Sequence, residues 1–185
     1  MLSVTDSRKF LRILQVSHGD LGGGAQNSAW YLFNGFRNQG HISWLAVGEK
    51  HTKDRDVFQI PNQQSRSAWA QACFKAGSLL NIRADGIRGV GRFNSVLGST
   101  SLLFAEPKRW IDIQRGREDF HYPGTSKLLS MLPSSPDLIH CHNLHGGYFD
   151  LRVLRGLSKE VPVILNLRDA WMLSGHCAHS FECEK

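Results

Sequence analysis

The chain has 185 residues, 41% hydrophobic and 21% charged, enough for one ordinary domain with a buried core and too apolar for a disordered chain. Its start, MLSVTDSRKFLRILQV, lacks a signal-peptide pattern, no run reaches bilayer-spanning length, and four scattered cysteines do not make a disulfide scaffold, so a cytoplasmic protein with reduced thiols is expected. The formal charge of +6 calls for anionic partners without naming one, and nine bases against three acids between residues 62 and 117 carry that whole excess.

In chain order, residues 11–17 (LRILQVS) are short, rich in branched apolar side chains and bounded by polar residues and glycine, the pattern of a buried strand. From Ala25 the period changes. Ala29, Leu32, Phe33 and Phe36 fall at i, i+3, i+4 and i+7, one face of a helix that Gly40 ends. Residues 42–47 (ISWLAV) read as a second strand, which makes the opening a βαβ unit with parallel strands and a right-handed crossover. Residues 57–60 read as a third short strand, stopped by Pro61. The segment at about 62–117 reads as a basic insertion carrying one helix, over 66–80, and loops, because GIRGVGRFNSVLGST holds too many glycines for a long regular element. Order returns with a strand over 137–141 (DLIHC) behind Pro133 and Pro136, a helix-like stretch over 148–157 and a buried strand over 161–167 (VPVILNL). Strands alternating with helices predict an α/β fold, a Rossmann-like doubly wound and mainly parallel sheet, in which ligands sit beyond the carboxyl ends of the strands. Three polar clusters fall at those ends, at 18–26, 142–147 and 168 onward, and are expected to converge on one cleft.

The first cluster, within residues 19–27 (GDLGGGAQN), sets three glycines before a helix, where bare backbone and the helix dipole favour a phosphate. It fits neither common phosphate motif. The Gly-Lys-Ser/Thr ending of a Walker loop is absent, and a dinucleotide fingerprint through Gly22 and Gly24 needs Gly or Ala where Asn27 stands. Glu49, placed after the second strand like a ribose-binding acid, keeps the dinucleotide reading open, and a plain tight turn is the bland alternative. In the second cluster, His140 and His142 share one strand face and Cys141 takes the other. His142, at the strand end, is the better candidate for a proton shuttle or hydroxyl-orienting group, whereas His140 fits a hydrogen-bonded structural role. The third cluster, Arg168-Asp169-Ala170-Trp171, offers a charge pair and an aromatic platform, or else a salt bridge tying the strand end to a neighbouring loop. Beyond it His176, Cys177, His179 and Cys183 are four soft-metal ligands, but their spacing is not Cys-x-x-Cys and zinc is not favoured.

Taken together, Gly23-Gly24-Ala25-Gln26 after a strand, the Pro136 to His142 strand PDLIHCH, and Arg168-Asp169-Ala170-Trp171 followed by Ser174-Gly175-His176-Cys177 resemble the N-terminal half of a family 4, group 1 glycosyltransferase of the GT-B fold. The resemblance implies a single Rossmann-like, acceptor-side domain over 1–185, with the C-terminal donor-binding domain absent and hence a fragment inactive by itself. It implies sugar transfer with retention, from a nucleotide-sugar co-substrate to a glycan or lipid-linked acceptor in cell-surface polysaccharide synthesis, with no metal or other cofactor. Carried over residue by residue, Gly23, Gly24, Ala25 and Gln26 approach the donor diphosphate. His142 sits near the transferred sugar as a catalytic candidate, and Asp169 is a candidate on the acceptor side, with Asn143, Arg168 and Trp171 binding the acceptor. Gln26 departs from the family's frequent Glu and Arg168 from its frequent His, which loosens the role of the third cluster.

A lipid-linked acceptor would also bring a peripheral contact with the inner face of a membrane through the basic insertion, with Trp69, Phe74 and Trp110 beside its nine bases. A solvated basic face over buried aromatics is the plainer reading of the same residues. Two other classes compete: an NAD-dependent oxidoreductase on the same βαβ unit, and a basic nucleic-acid-binding module. No recognition motif supports the latter, so no nucleic-acid partner is expected.

Overall fold

The computed structural model describes residues 10–80 and 90–174. In chain order the elements are β1 (Arg12–Gly19), α1 (Gly24–Asn38), β2 (Ile42–Glu49), β3 (Val57–Gln59), α2 (Ala68–Leu79), α3 (Val90–Ala105), α4 (Pro107–Gln114), β4 (Leu138–His142), α5 (Leu154–Glu160), β5 (Val163–Asn166) and α6 (Trp171–Ser174). Short 3-10 turns lie at Pro123–Lys127 and Leu151–Val153. The chain divides into two compact units, a sheet unit built from the sequence before residue 61 and after residue 124, and a helical unit formed by residues 61–124.

The sheet unit carries five parallel strands in the order β3-β2-β1-β4-β5, the predicted Rossmann-like, doubly wound α/β architecture. Alternation along the strands sorts the side chains onto two faces. Ala29 and Phe33 of α1 pack with Leu45, Val47 and Val57 on one face. Leu14, Val16, Trp44, Ala46, Ile139 and Cys141 pack with Leu128 and with Leu157 of α5 on the other. The ladder pairs Gln15 with His140 and Val16 with Cys141, which brings the carboxyl ends of β1 and β4 side by side. Gly40, at φ +85°, ends the helical region as expected, since an L side chain is strained in that conformation. Gly48 has a different reason for being glycine: a Cβ there would stand 2.5 Å from the Cβ of Tyr148.

Two expectations need correction. The strand over 161–167 is not buried. β5 is shorter and forms the sheet edge, with Ile164, Leu165 and Leu167 all exposed, because β4 covers only one of its sides. The stretch expected to be helix-like over 148–157 winds only from Leu151, first as a 3-10 turn and then as α5.

The larger correction concerns the insertion, whose described residues hold three helices rather than one helix and loops. Gly91 and Gly98 sit inside α3 with open space where a Cβ would be, so each weakens the helix by about 1 kcal/mol and meets no steric demand. Packing against α2 overrides that propensity. Gly77 of α2 and the Ser101 side chain of α3 meet where no Cβ could fit, which lets the two backbones approach. Ser67 caps α2 by accepting from the Ala70 amide, and Pro107 opens α4. Charged side chains complete the unit. Arg66 pairs with Glu106 and donates to the His121 carbonyl, while Arg109 joins Glu106 at 2.9 Å to Asp119 at 2.6 Å. No helix among the described residues is long and apolar enough to cross a membrane.

Candidate functional site

The order of the sheet reverses between β1 and β4, and in open α/β sheets the crevice at the carboxyl end of such a reversal is where ligands bind. A cleft of about 260 Å³ lies there. Ser17 near the end of β1, Ala25 and Gln26 at the start of α1, His142 at the end of β4, and Asn143 and His145 after it line the cleft, and among the described residues no acidic side chain does.

The glycine-rich turn enters α1 without a side-chain cap. Gly23 is the N-cap, the first helical bond runs from the Asn27 amide to the Gly23 carbonyl, and no acid occupies the first turn. The amides before Asn27 therefore have no partner within the helix, and the positive end of the dipole faces the cleft wall formed by Ala25 and Gln26. Gly22 adopts φ +133°, and the Gln26 side chain folds back over it and Gly23. Asp20 fixes the base of this turn. Its buried carboxylate accepts from the His51 and Thr52 amides at 2.8 Å each and from the Thr52 hydroxyl at 2.6 Å. Burial alone would raise its pKa, but these bonds, the Thr52 hydroxyl's first, pull it below the ordinary carboxylate value.

After β4 the backbone is unusual. Asn143 sits at φ 40°, and Gly146 and Gly147 also have positive φ. A non-glycine residue in that region persists only where its surroundings hold it. Here Asn143 Nδ2 donates to Asp169 at 2.9 Å, its Oδ1 accepts from the Arg168 amide at 3.2 Å, and Tyr148 donates to its carbonyl at 3.2 Å. Gly146 lies against His18, whose ring would be 3.1 Å from a Cβ at that position.

His140 and His142 do share one face, their rings 4.2 Å apart, with Cys141 in the core of the other. His142 lines the cleft and His140 does not, but His142 also has the hydrogen-bonded, structural character expected of His140. It is His142 that is fully buried and hydrogen-bonded, its Nε2 lying 2.7 Å from Gln15 Oε1. With that oxygen as acceptor, Nε2 carries the proton and Nδ1 presents a lone pair. Both Nδ1 and the Gln15 amide nitrogen are buried without a partner. Burial, helped by His140 and Arg168, pushes the His142 imidazole down to about 3, so the ring is neutral near pH 7. A neutral, oriented imidazole can accept a hydroxyl proton in a hydrogen bond; it is not a reservoir of cationic acid.

The third cluster joins the second. Asp169 accepts from His145 Nε2 at 2.6 Å and from the Trp171 amide at 3.1 Å, and Trp171 packs on the His145 ring at 5.2 Å between centroids. Asp169 and Trp171 thus stand behind His145 and Asn143, which face the cleft, and Arg168 is exposed. Glu49 is exposed at the end of β2, with His51 Nε2 3.8 Å away. His176, Cys177, His179 and Cys183 lie outside the described residues, and no group of three or more metal-ligating side chains occurs among those described.

Three contributors escaped the sequence reading. Gln15 had a signal, being a polar residue set between Leu14 and Val16 in the apolar middle of a strand. Asp20 and His145 lie inside the first and second polar clusters, but nothing in their spacing shows which group each holds. The chain matches no protein family, no curated protein and no solved structure, so the geometry of this cleft is what any functional reading rests on.

Proposed function

We propose that the chain supplies the acceptor-side half of a retaining glycosyltransferase, acting on a glycan or lipid-linked acceptor in cell-surface polysaccharide synthesis. In this reading the cleft takes the diphosphate and hexose of a nucleotide-sugar. The free amides opening α1 hold diphosphate oxygens, and His142 Nδ1 accepts from a sugar hydroxyl. Asp169, reaching the cleft through His145 and Asn143, positions the side facing the acceptor. In the transfer the bond from the sugar's anomeric carbon to the diphosphate breaks, a bond to the acceptor oxygen forms, and the acceptor proton leaves with the diphosphate.

The observation that carries this reading is an uncapped, acid-free helix start in the wall of the same cleft as the His142 ring, whose Nδ1 is buried without a partner. One suits an anion and the other a neutral hydroxyl, and a hexosyl diphosphate presents both. The test is a titration of the chain with UDP-glucose, GDP-mannose and NAD, followed by NMR at the amides of Gly24, Ala25 and Gln26 and at the His142 ring. A nucleotide-sugar should shift both sets together. Shifts produced only by NAD would transfer the site to an oxidoreductase, and no shift with any of the three would end the proposal.

A further inference from the structure

The helical unit turns its apolar residues the wrong way for a self-contained bundle. In α2 the exposed positions Trp69, Ala72, Ala76 and Leu79, continued by Leu80, recur at i, i+3, i+7, i+10 and i+11. In α3 the exposed positions Phe93, Val96, Thr100, Leu103 and Phe104 repeat the same spacing. Each set is one continuous helix face. Trp69 is 65% exposed, Leu79 77%, Phe93 50% and Phe104 68%. The two stripes adjoin, since the Trp69 indole donates to the Phe104 carbonyl at 2.9 Å.

Charge says what would cover them. Neither α2 nor α3 contains an acid. Of the four acids in the described part of the unit, Glu106 pairs with Arg66 and Arg109, Asp119 with Arg109 and Asp112 with Arg117, while Glu118 lies half-buried outside α2 and α3. Lys75 and Arg92, by contrast, are exposed on α2 and α3 beside the stripes, and Lys108 of α4 and Arg115, its C-cap, are exposed one turn on either side of exposed Ile111. An apolar face edged by cations and free of acids suits a surface that is apolar beneath and negative on top. The expected aromatic set changes accordingly. Trp69 remains, but Phe74 lies half-buried under Arg66 and Trp110 donates to Ser99, so Phe93 and Phe104 replace them.

We infer that the paired faces of α2 and α3 seat this unit on an anionic lipid bilayer as an interfacial contact. The inference stands apart from the glycosyltransferase reading, because it uses none of the cleft residues. Sedimentation of the chain with vesicles of phosphatidylcholine, alone or with about a third phosphatidylglycerol, tests it; binding should be about tenfold or more stronger with the anionic lipid, as four surface cations imply. Phe93→Ser combined with Phe104→Ser should remove that binding with the far-ultraviolet circular dichroism retained. Independently of any folding effect of that variant, brominated lipid should quench fluorescence of the parent chain, and Trp69→Phe should abolish most of the quenching. Equal binding to neutral and anionic vesicles, no binding, or quenching unchanged in Trp69→Phe would overturn the inference. So would concentration-dependent self-association that the double variant removes, since a second copy would then be what covers the stripe.

Discussion

The two units solve the problem of holding a chain together in opposite ways. The sheet unit hides its apolar side chains on both faces of its central strands, with Leu14, Val16, Phe33, Leu45 and Ile139 almost wholly buried, and leaves polar groups at the carboxyl ends of its strands. The helical unit buries few large apolar side chains among its described residues; it is closed by ion pairs among Arg66, Glu106, Arg109 and Asp119 and carries Trp69, Phe93 and Phe104 outside. Burial of apolar area is non-directional and ample, whereas a chain of half-buried charges depends on every member keeping its partner. The sheet therefore makes a scaffold that can tolerate an orphaned polar atom in a cleft, and the helices make a surface.

The sharpest way to break that contrast is a truncation in the sheet. Phe33 is fully buried between α1 and β2, so Phe33→Ala should lower the unfolding free energy by about 4 kcal/mol, read by urea denaturation. An effect under half of that would mean the sheet unit owes less to its core than its burial implies. Next comes the ion network. Arg109→Ala leaves Glu106 and Asp119 without their shared cation, and the helical unit should lose about 3 kcal/mol. Asp119 is held below the ordinary carboxylate value: burial opposes that, and the Arg109 hydrogen bonds lead the groups that outweigh it. Hydrogen exchange gives the readout. Amides of α2, α3 and α4 should lose protection in the variant while those of β1 and β4 keep it; loss across both units would show that they do not open separately.

That contrast also explains what was legible in the chain. Strands such as LRILQVS and ISWLAV announce themselves because both faces of a parallel strand are buried, and the alternation of strand and helix then leaves few topologies. Convergence of the three polar clusters followed from the fold, because their positions at strand ends were already given. What the chain could not show is set by partners remote in sequence. Gln15 meets His142 across 127 positions and Asp20 meets Thr52 across 32, and only the register of β1 with its neighbours brings these pairs together. α3 was hidden for a related reason: its glycines argue against a helix locally, and the neighbour that stabilises it lies in another segment.

A subtler prediction separates the cleft from the rest of the sheet. The folded pKa of His142, about 3, lies well below its unfolded value near 6.5, so between the two the unfolded chain binds a proton that the native chain refuses. This stabilising contribution is complete above about pH 6.5 and is lost as pH falls, at up to about 1.4 kcal/mol per pH unit. Denaturation measured at intervals from pH 7 to pH 4 should show that slope, and His142→Gln should flatten it. An imidazole that titrates above pH 5 by NMR would show instead that His142 is solvated, and its Nδ1 would then no longer be an orphan acceptor in the cleft.

The smallest expected effect lies on the outer face of the helices, and its smallness is what makes it informative. Phe93 is half exposed, so replacing it by Ser removes apolar area that water already reaches and creates no cavity. Surface substitutions of this kind stay within about 0.5 kcal/mol, and Ser differs from Phe little in helix propensity, so Phe93→Ser should melt within a few degrees of the parent. Against the loss from Phe33→Ala, that near-neutrality would show that two phenylalanines of one chain do different things, one holding the fold and the other held out from it. A loss of 2 kcal/mol or more would instead place Phe93 in the unit's own packing, and the outward stripe on α3 would cease to be a separate surface.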